Sequence, residues 1–177
     1  MRYHDREWGV PLHEDNRLYE FLLLDGFQAG LNWSIIIHKR ENFQAAFDNF
    51  NPELIASYDD NKIASLLQDR GIIRNRLKII AAITNARCFL DVKDKYGSFD
   101  EYIWRFVDGR TIHNNWKTLQ QIPARTQQSD AMSLDLKKKG FQFVGSTICY
   151  AFMQAAGMVN DHQINCFRYK ELYQEGE

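Results

Sequence analysis

Apolar residues recur at helical spacing through most of this 177-residue chain, and no segment alternates with the period of a strand. The pattern predicts a helix over 14–24, with Leu18, Phe21 and Leu22 on one face. Further helices are predicted over 28–37 (Leu31, Trp33, Ile35), 39–50 (Phe43, Ala46, Phe47, Phe50) and 75–93 (Ile79, Ile80, Ile83, Ala86). Start and stop signals add to this. Asn51-Pro52 pairs a capping side chain with proline at the first helical position. Asp59 or Asp60 caps a helix through Leu67, and Gly97 ends the long one. Ser98-Phe99-Asp100-Glu101 reads as a capping box ahead of Tyr102, Trp104 and Phe106. Ser129 is expected to cap the helix leading to Lys139. Residues 1–13 lack a helical period and read as a loop carrying Tyr3, His4 and Trp8. Residues 108–125 read as an irregular surface connection, and the tail after Tyr169 is expected to fray. The fold class is all-α, with about eight to ten helices of ordinary length.

The stretch from Gly140 to Cys166 organises the rest. A basic helix end, Lys137 to Lys139, stops at Gly140, and Phe143-Val144-Gly145-Ser146 makes a tight turn. Thr147 then opens a helix whose apolar face holds Ile148, Ala151, Phe152 and Ala155, with Gly157 closing it. Free N–H groups at that helix N-terminus, beside the Ser146 and Thr147 hydroxyls, suit a phosphate; the same pattern suits an ordinary corner of a helical core. His162 and Cys166 stand at i and i+4, a pairing of imidazole and thiolate that suits zinc once other segments add ligands. Asp25, after Leu22-Leu23-Leu24, is placed at a helix–helix junction, as a solvated cap or a buried carboxylate with a purpose.

Composition narrows the class. The chain is 45% hydrophobic and 14% aromatic, with ten glycines and only three prolines, which fits one domain over 1–177 without linkers. No apolar run is long enough to span a bilayer and no signal-peptide pattern opens the chain, so a cytoplasmic protein with no membrane partner is expected. A net charge of −1 excludes a globally basic nucleic-acid binder; any such contact must rest on a local patch. Three scattered cysteines argue for a reducing compartment, with Cys88 and Cys149 as core residues.

Five stretches together carry a resemblance: YHDREWGVP at 3–11, DGFQAGLNWS at 25–34, KREN at 39–42, GIIRNR at 71–76 and GFQFVGSTICYAFMQAAGMVNDH at 140–162. They resemble the bacterial DNA-3-methyladenine glycosylases of type I, over about residues 3–166. The resemblance implies a helix-hairpin-helix DNA glycosylase fold, with that motif at about 129–157 and the termini, about 1–13 and 158–170, meeting at a zinc site. It implies hydrolysis of the N-glycosidic bond of 3-methyladenine in alkylated double-stranded DNA, the first step of base excision repair, by a monomer. By position, Asp25 is the catalytic carboxylate, and Tyr3, Trp8 and Trp33 line the base pocket. Val144, Gly145, Ser146 and Thr147 grip DNA, and His4, His162 and Cys166 hold a structural zinc. Asp161 is expected to orient His162. No lysine falls in the pocket motifs, so no strand cleavage is expected. Two departures stand out. Family members usually open with an extension bearing a fourth zinc ligand, a cysteine, and a further pocket tyrosine; this chain starts just before Tyr3. A three-ligand site is then expected to be completed by water, to bind zinc weakly or to stay empty, unless the start lies further upstream. Asp25 also replaces the family's glutamate. The alternative is a catalytically impaired module that binds damaged or abasic DNA.

Overall fold

Among the described residues of the computed structural model, 2–175, the chain forms eleven α-helices. They are α1 (Arg2–Arg6), α2 (Asp15–Gln28), α3 (Trp33–His38), α4 (Arg40–Ala46), α5 (Pro52–Ala56), α6 (Asp60–Gln68), α7 (Arg76–Tyr96), α8 (Phe99–Trp104), α9 (Gln127–Lys138), α10 (Ser146–Ala155) and α11 (Phe167–Glu175). Met1, Gly176 and Glu177, the ends of the expected 1–177 domain, lie outside the described residues. No helix among the described residues is long and apolar enough to cross a membrane.

Capping chemistry sets most boundaries. The side chains of Asn32, Asn51, Asp59, Asn75 and Ser98 each accept a backbone N–H from the first turn of the helix they precede. Ser129 does not cap α9. Thr126 does, and Ser129 closes a reciprocal capping box with it one turn on. Likewise Gly145, not Thr147, precedes α10, which starts at Ser146.

α2 is the axis of the fold. Leu18, Tyr19, Phe21 to Leu24 and Phe27 are all buried, so the helix is covered on nearly every side rather than along one stripe. It packs against α3, α7, α8 and α10. It also runs one turn beyond the expected stop at Asp25-Gly26. Burial of Phe27 outweighs the glycine penalty of about 1 kcal/mol. Lys78 then fixes the end, its ammonium donating to Phe27 O at 2.7 Å and Ala29 O at 2.6 Å. Asp25 therefore sits inside a helix, not at a junction.

Other expectations are corrected by tertiary contacts. Residues 2–6 form a helical turn, and the tail to Glu175 is α11 rather than frayed chain. Residues 108–125 contain a two-residue strand, β1 (Ile112–His113), and a 3-10 turn at Leu119–Gln121. β1 pairs in parallel with β2 (Val159–Asn160), so a short ladder joins an otherwise helical fold. The N-terminal segment crosses the end of α10: Gly9 N–H donates to Gln154 O at 3.1 Å and Leu12 N–H to Ala156 O at 3.0 Å. The crossing needs Gly157, with φ +69, where a Cβ would lie 2.3 Å from the carbonyl carbon of Val10.

Candidate active site

Four segments distant in sequence wall one cavity of about 200 Å³. Tyr3 and Trp8 come from the N-terminal segment, Asp25 and Gln28 from α2, Trp33 from the first position of α3, and Ala151, Gln154 and Ala155 from α10. The Tyr3 and Trp33 rings stand 5.7 Å apart with a 50° tilt. Asn32 aims Trp33 by capping α3, accepting from Ser34 N–H at 2.9 Å. All four pocket residues read from the sequence thus share one cavity. Gln28 was missed. Its only signal is the i, i+3 spacing from Asp25, which counts once α2 is known to continue through Gly26.

The polar groups of this cavity are poorly satisfied. Asp25 is 1% exposed, yet its Oδ2 has no hydrogen-bond partner among the described residues. Tyr3 OH and Gln28 Oε1 are also buried without partners. Each such group costs roughly 1–3 kcal/mol, and three in one cavity leave it able to accept a ligand's polar edge. Burial raises the Asp25 carboxyl well above its ordinary 3.8. Burial, then the adjacent Asp25, also pushes the Tyr3 phenol up. A positive charge entering the cavity would reverse the Asp25 shift by favouring the carboxylate.

A turn over 139–145 joins α9 to α10, and its parts face different ways. Val144 is 2% exposed, with its carbonyl accepting from Ser133 Oγ at 2.6 Å, so its side chain belongs to the core. Ser146 Oγ is engaged by Asp130 Oδ1 at 2.5 Å and Ser129 Oγ at 2.9 Å. Thr147 is exposed. Among the described residues no side-chain cap closes the N-terminus of α10, which Gly145 precedes. Gly145 has an ordinary φ of −62°, and a Cβ there would meet nothing within 4 Å. Internal packing therefore does not require glycine at this position. Asn85, unremarked in the sequence, holds the turn from α7: it donates to Gln142 O at 3.0 Å and accepts from Gln142 N–H at 2.8 Å.

His4, His162 and Cys166 converge from the two ends of the chain, their ligating atoms all within 4.8 Å of one another. Cys166 Sγ lies 3.9 Å from His4 Nε2 and 3.7 Å from His162 Nδ1. His162 Nε2 donates to Trp8 O at 3.0 Å, which leaves Nδ1 directed at the thiol. Burial lowers the His162 pKa and so favours the neutral imidazole that a metal requires. The orienting role expected of Asp161 thus falls to the Trp8 carbonyl. Asp161 instead accepts from Asn114, Trp116, Tyr150 and Gln154 at 2.6–2.8 Å, and in doing so holds Gln154 at the cavity wall. The Trp8 ring meets His162 edge-on at 4.6 Å, so it is shared between the cavity and this cluster.

The fold and cavity define a helical protein with an aromatic-walled cavity that holds one buried acid. A family model described as methyladenine glycosylase matches residues 1–169, and the chain belongs to that family. It is 47% identical over 169 residues to DNA-3-methyladenine glycosylase 1 of Escherichia coli (strain K12), covering 96% of this chain and 90% of that protein. A crystal structure of 3-methyladenine DNA glycosylase I matches with a TM-score of 0.91 at 48% identity, over 93% of this chain and 91% of that one. A structure of the Staphylococcus aureus 3-methyladenine DNA glycosylase I, described as showing the basis of 3-methyladenine recognition, matches with a TM-score of 0.92 at 31% identity. That match covers 94% of this chain and 88% of that one.

Proposed function

We propose that this protein is a monofunctional DNA glycosylase that hydrolyses the N-glycosidic bond of 3-methyladenine in alkylated double-stranded DNA. The observation that carries the reading is the buried Asp25, its Oδ2 unpartnered among the described residues, beside Tyr3 OH and Gln28 Oε1 in an aromatic cavity. The relatives named for 3-methyladenine support the choice of base. The base must leave the duplex stack to enter the cavity. N3-methylation gives the nucleotide a positive charge, which Tyr3, Trp8 and Trp33 faces hold better than a neutral ring. Asp25 accepts from the exocyclic amine and compensates the charge. The C1′–N9 bond then breaks with its electron pair going to the base, which leaves neutral; water adds its oxygen to the sugar cation at C1′ and gives up a proton to solvent. Because the leaving group is already activated, the cavity contributes selection more than acceleration. No lysine lines it, so the reaction ends at an abasic site with the strand intact.

The 129–157 region acts as a helix-hairpin-helix. Open space at Gly145 and the uncapped α10 N-terminus support phosphate contact through backbone N–H groups, with Thr147 beside them. His4, His162 and Cys166 are the residues that would hold zinc, clipping segments 1–13 and 158–170 together; a zinc ion there would supply structure, not reaction chemistry. The cavity is completed within one chain, which supports a monomer working as a single domain. Three free thiols support a reducing, cytoplasmic setting.

The decisive experiment incubates methylated duplex DNA with the protein and measures free 3-methyladenine. Release, with alkali needed to cut the strand, is expected. Tight binding to abasic or alkylated DNA without release would establish the non-enzymatic module instead.

A further inference from the structure

Behind the Tyr3 wall, two arginines and two glutamates interlock. Arg40 Nε donates to Glu20 Oε1 at 2.7 Å and Arg40 Nη1 to Glu7 Oε2 at 2.7 Å. Arg17 Nη2 donates to Glu7 at 3.3 Å, and Arg17 Nε lies 3.0 Å from Glu20. Glu20 is 7% exposed, and the Arg40 side chain retains 20% of its exposure, so these contacts are partly shielded from water. The four charges cancel, and the group adds no net charge to the neighbouring cavity.

Its reach matters more than its charge. Glu7 lies in the turn after α1, between Tyr3 and Trp8. Glu7 N–H and Trp8 N–H both donate to Tyr3 O, at 2.9 Å and 3.0 Å, so the Glu7 backbone is tied to the main chain that carries both cavity rings. Glu20 and Arg17 stand on α2, the helix that carries Asp25 and Gln28. Arg40 opens α4 and lies 5.6 Å from the Phe21 ring centroid, and Phe21 lies 6.3 Å from Tyr3. A five-residue helix such as α1 cannot hold its own shape in water. The Glu7 clasp therefore couples the aromatic wall to the acid-bearing helix without any metal.

We infer that Arg40, acting through Glu7 and Glu20, is a positioning residue that sets Tyr3 and Trp8 against Asp25 and thereby fixes the cavity's affinity for the methylated base. This rests on the glycosylase reading. Lysine at 40 keeps the charge but lacks the planar fork that meets both carboxylates. Glutamine at 7 keeps the shape and removes the charge.

The test compares the full chain with Arg40→Lys, Glu7→Gln and the double variant. Ile83→Val serves as a stability control, since Ile83 is buried on α7 and does not line the cavity. Affinity for free 3-methyladenine is read by tryptophan fluorescence, kcat and KM on methylated DNA, and Tm by melting. Each single variant is expected to weaken base binding and lower kcat/KM by on the order of 10- to 100-fold. The double variant is expected to be no worse than the worse single, because both break the Arg40–Glu7 contact that joins the wall to α4. Ile83→Val is expected to lower Tm and leave base affinity at the parental level. Parental affinity in both single variants overturns the inference, and so does an additive double variant. Failure of both single variants to fold reduces the clasp to a stability device and also overturns it. A parent protein that neither binds nor releases 3-methyladenine rejects the glycosylase reading itself, and the parent arm reports that separately.

Discussion

Replacing Asp25 with asparagine should stabilise the protein while disabling it. In the unfolded chain the carboxyl titrates near 3.8, whereas burial raises it well above that in the fold. Between those two values the folded state binds the proton and the unfolded state does not. Stability from this group is therefore fully present at low pH and is lost as pH rises from the unfolded value towards the folded one. Each pH unit inside that window costs about 1.4 kcal/mol. For a chain of this size, each kcal/mol moves Tm by about 2–4 °C. Asparagine is nearly isosteric with the neutral acid and carries no such penalty. The Tm difference between Asp25→Asn and the parent should thus be small at pH 4 and widen with rising pH. A methylated base changes the sign. A cation about 4 Å from a carboxylate gains roughly 4 kcal/mol at an effective dielectric near 20. Losing that attraction should lower kcat/KM for base release about 1000-fold while binding of unmethylated duplex stays near the parental level. Melting curves from pH 4 to 8, with single-turnover release and gel-shift measurements, test both halves. A pH-independent Tm difference would refute the burial argument. Parental release by the variant would refute the charge argument.

Three further outcomes follow from the same geometry. Gly145→Ala should fold and melt like the parent, because its Cβ meets nothing internally, yet should weaken duplex binding in a gel shift; parental affinity would remove this turn from the DNA interface. Gly157→Ala should destabilise by about 2–4 kcal/mol in chemical denaturation, since the new methyl meets the Val10–Pro11 backbone at a positive φ; a cost under about 0.5 kcal/mol would contradict the crossing described above. Added zinc should raise Tm, with about 2.7 kcal/mol expected at 100 times its Kd, and His162→Ala should abolish the rise and the metal content by elemental analysis; a rise that survives the substitution would place the metal elsewhere.

The local parts of this molecule were legible because their causes are local. Asn51, Asp59 and Ser98 cap the helices their spacing announces, and Gly97 ends α7 with φ +90. The motifs carrying Tyr3, Trp8, Asp25 and Trp33 pointed to one pocket, and those residues share one. Boundaries failed wherever a distant group intervened. Lys78, some fifty residues away, satisfies the carbonyls at the end of α2, so the helix passes the glycine that should have stopped it. The N-terminal loop became α1 because Glu7 and Trp8 find partners on α4 and beyond β2.

By itself, then, the order of residues determined a helical chain and a His162–Cys166 pair suited to a metal, and through its resemblance to a known family it pointed to Asp25, the rings and His4. Only the tertiary structure decided that Asp25 is buried with its Oδ2 unpartnered among the described residues, that Gln28 joins it, that Trp8 rather than Asp161 orients His162, and that Arg40 backs the aromatic wall. The physical reason is that capping and periodicity act over a few residues of chain. Desolvation and hydrogen-bond satisfaction depend on which distant segments close over a group.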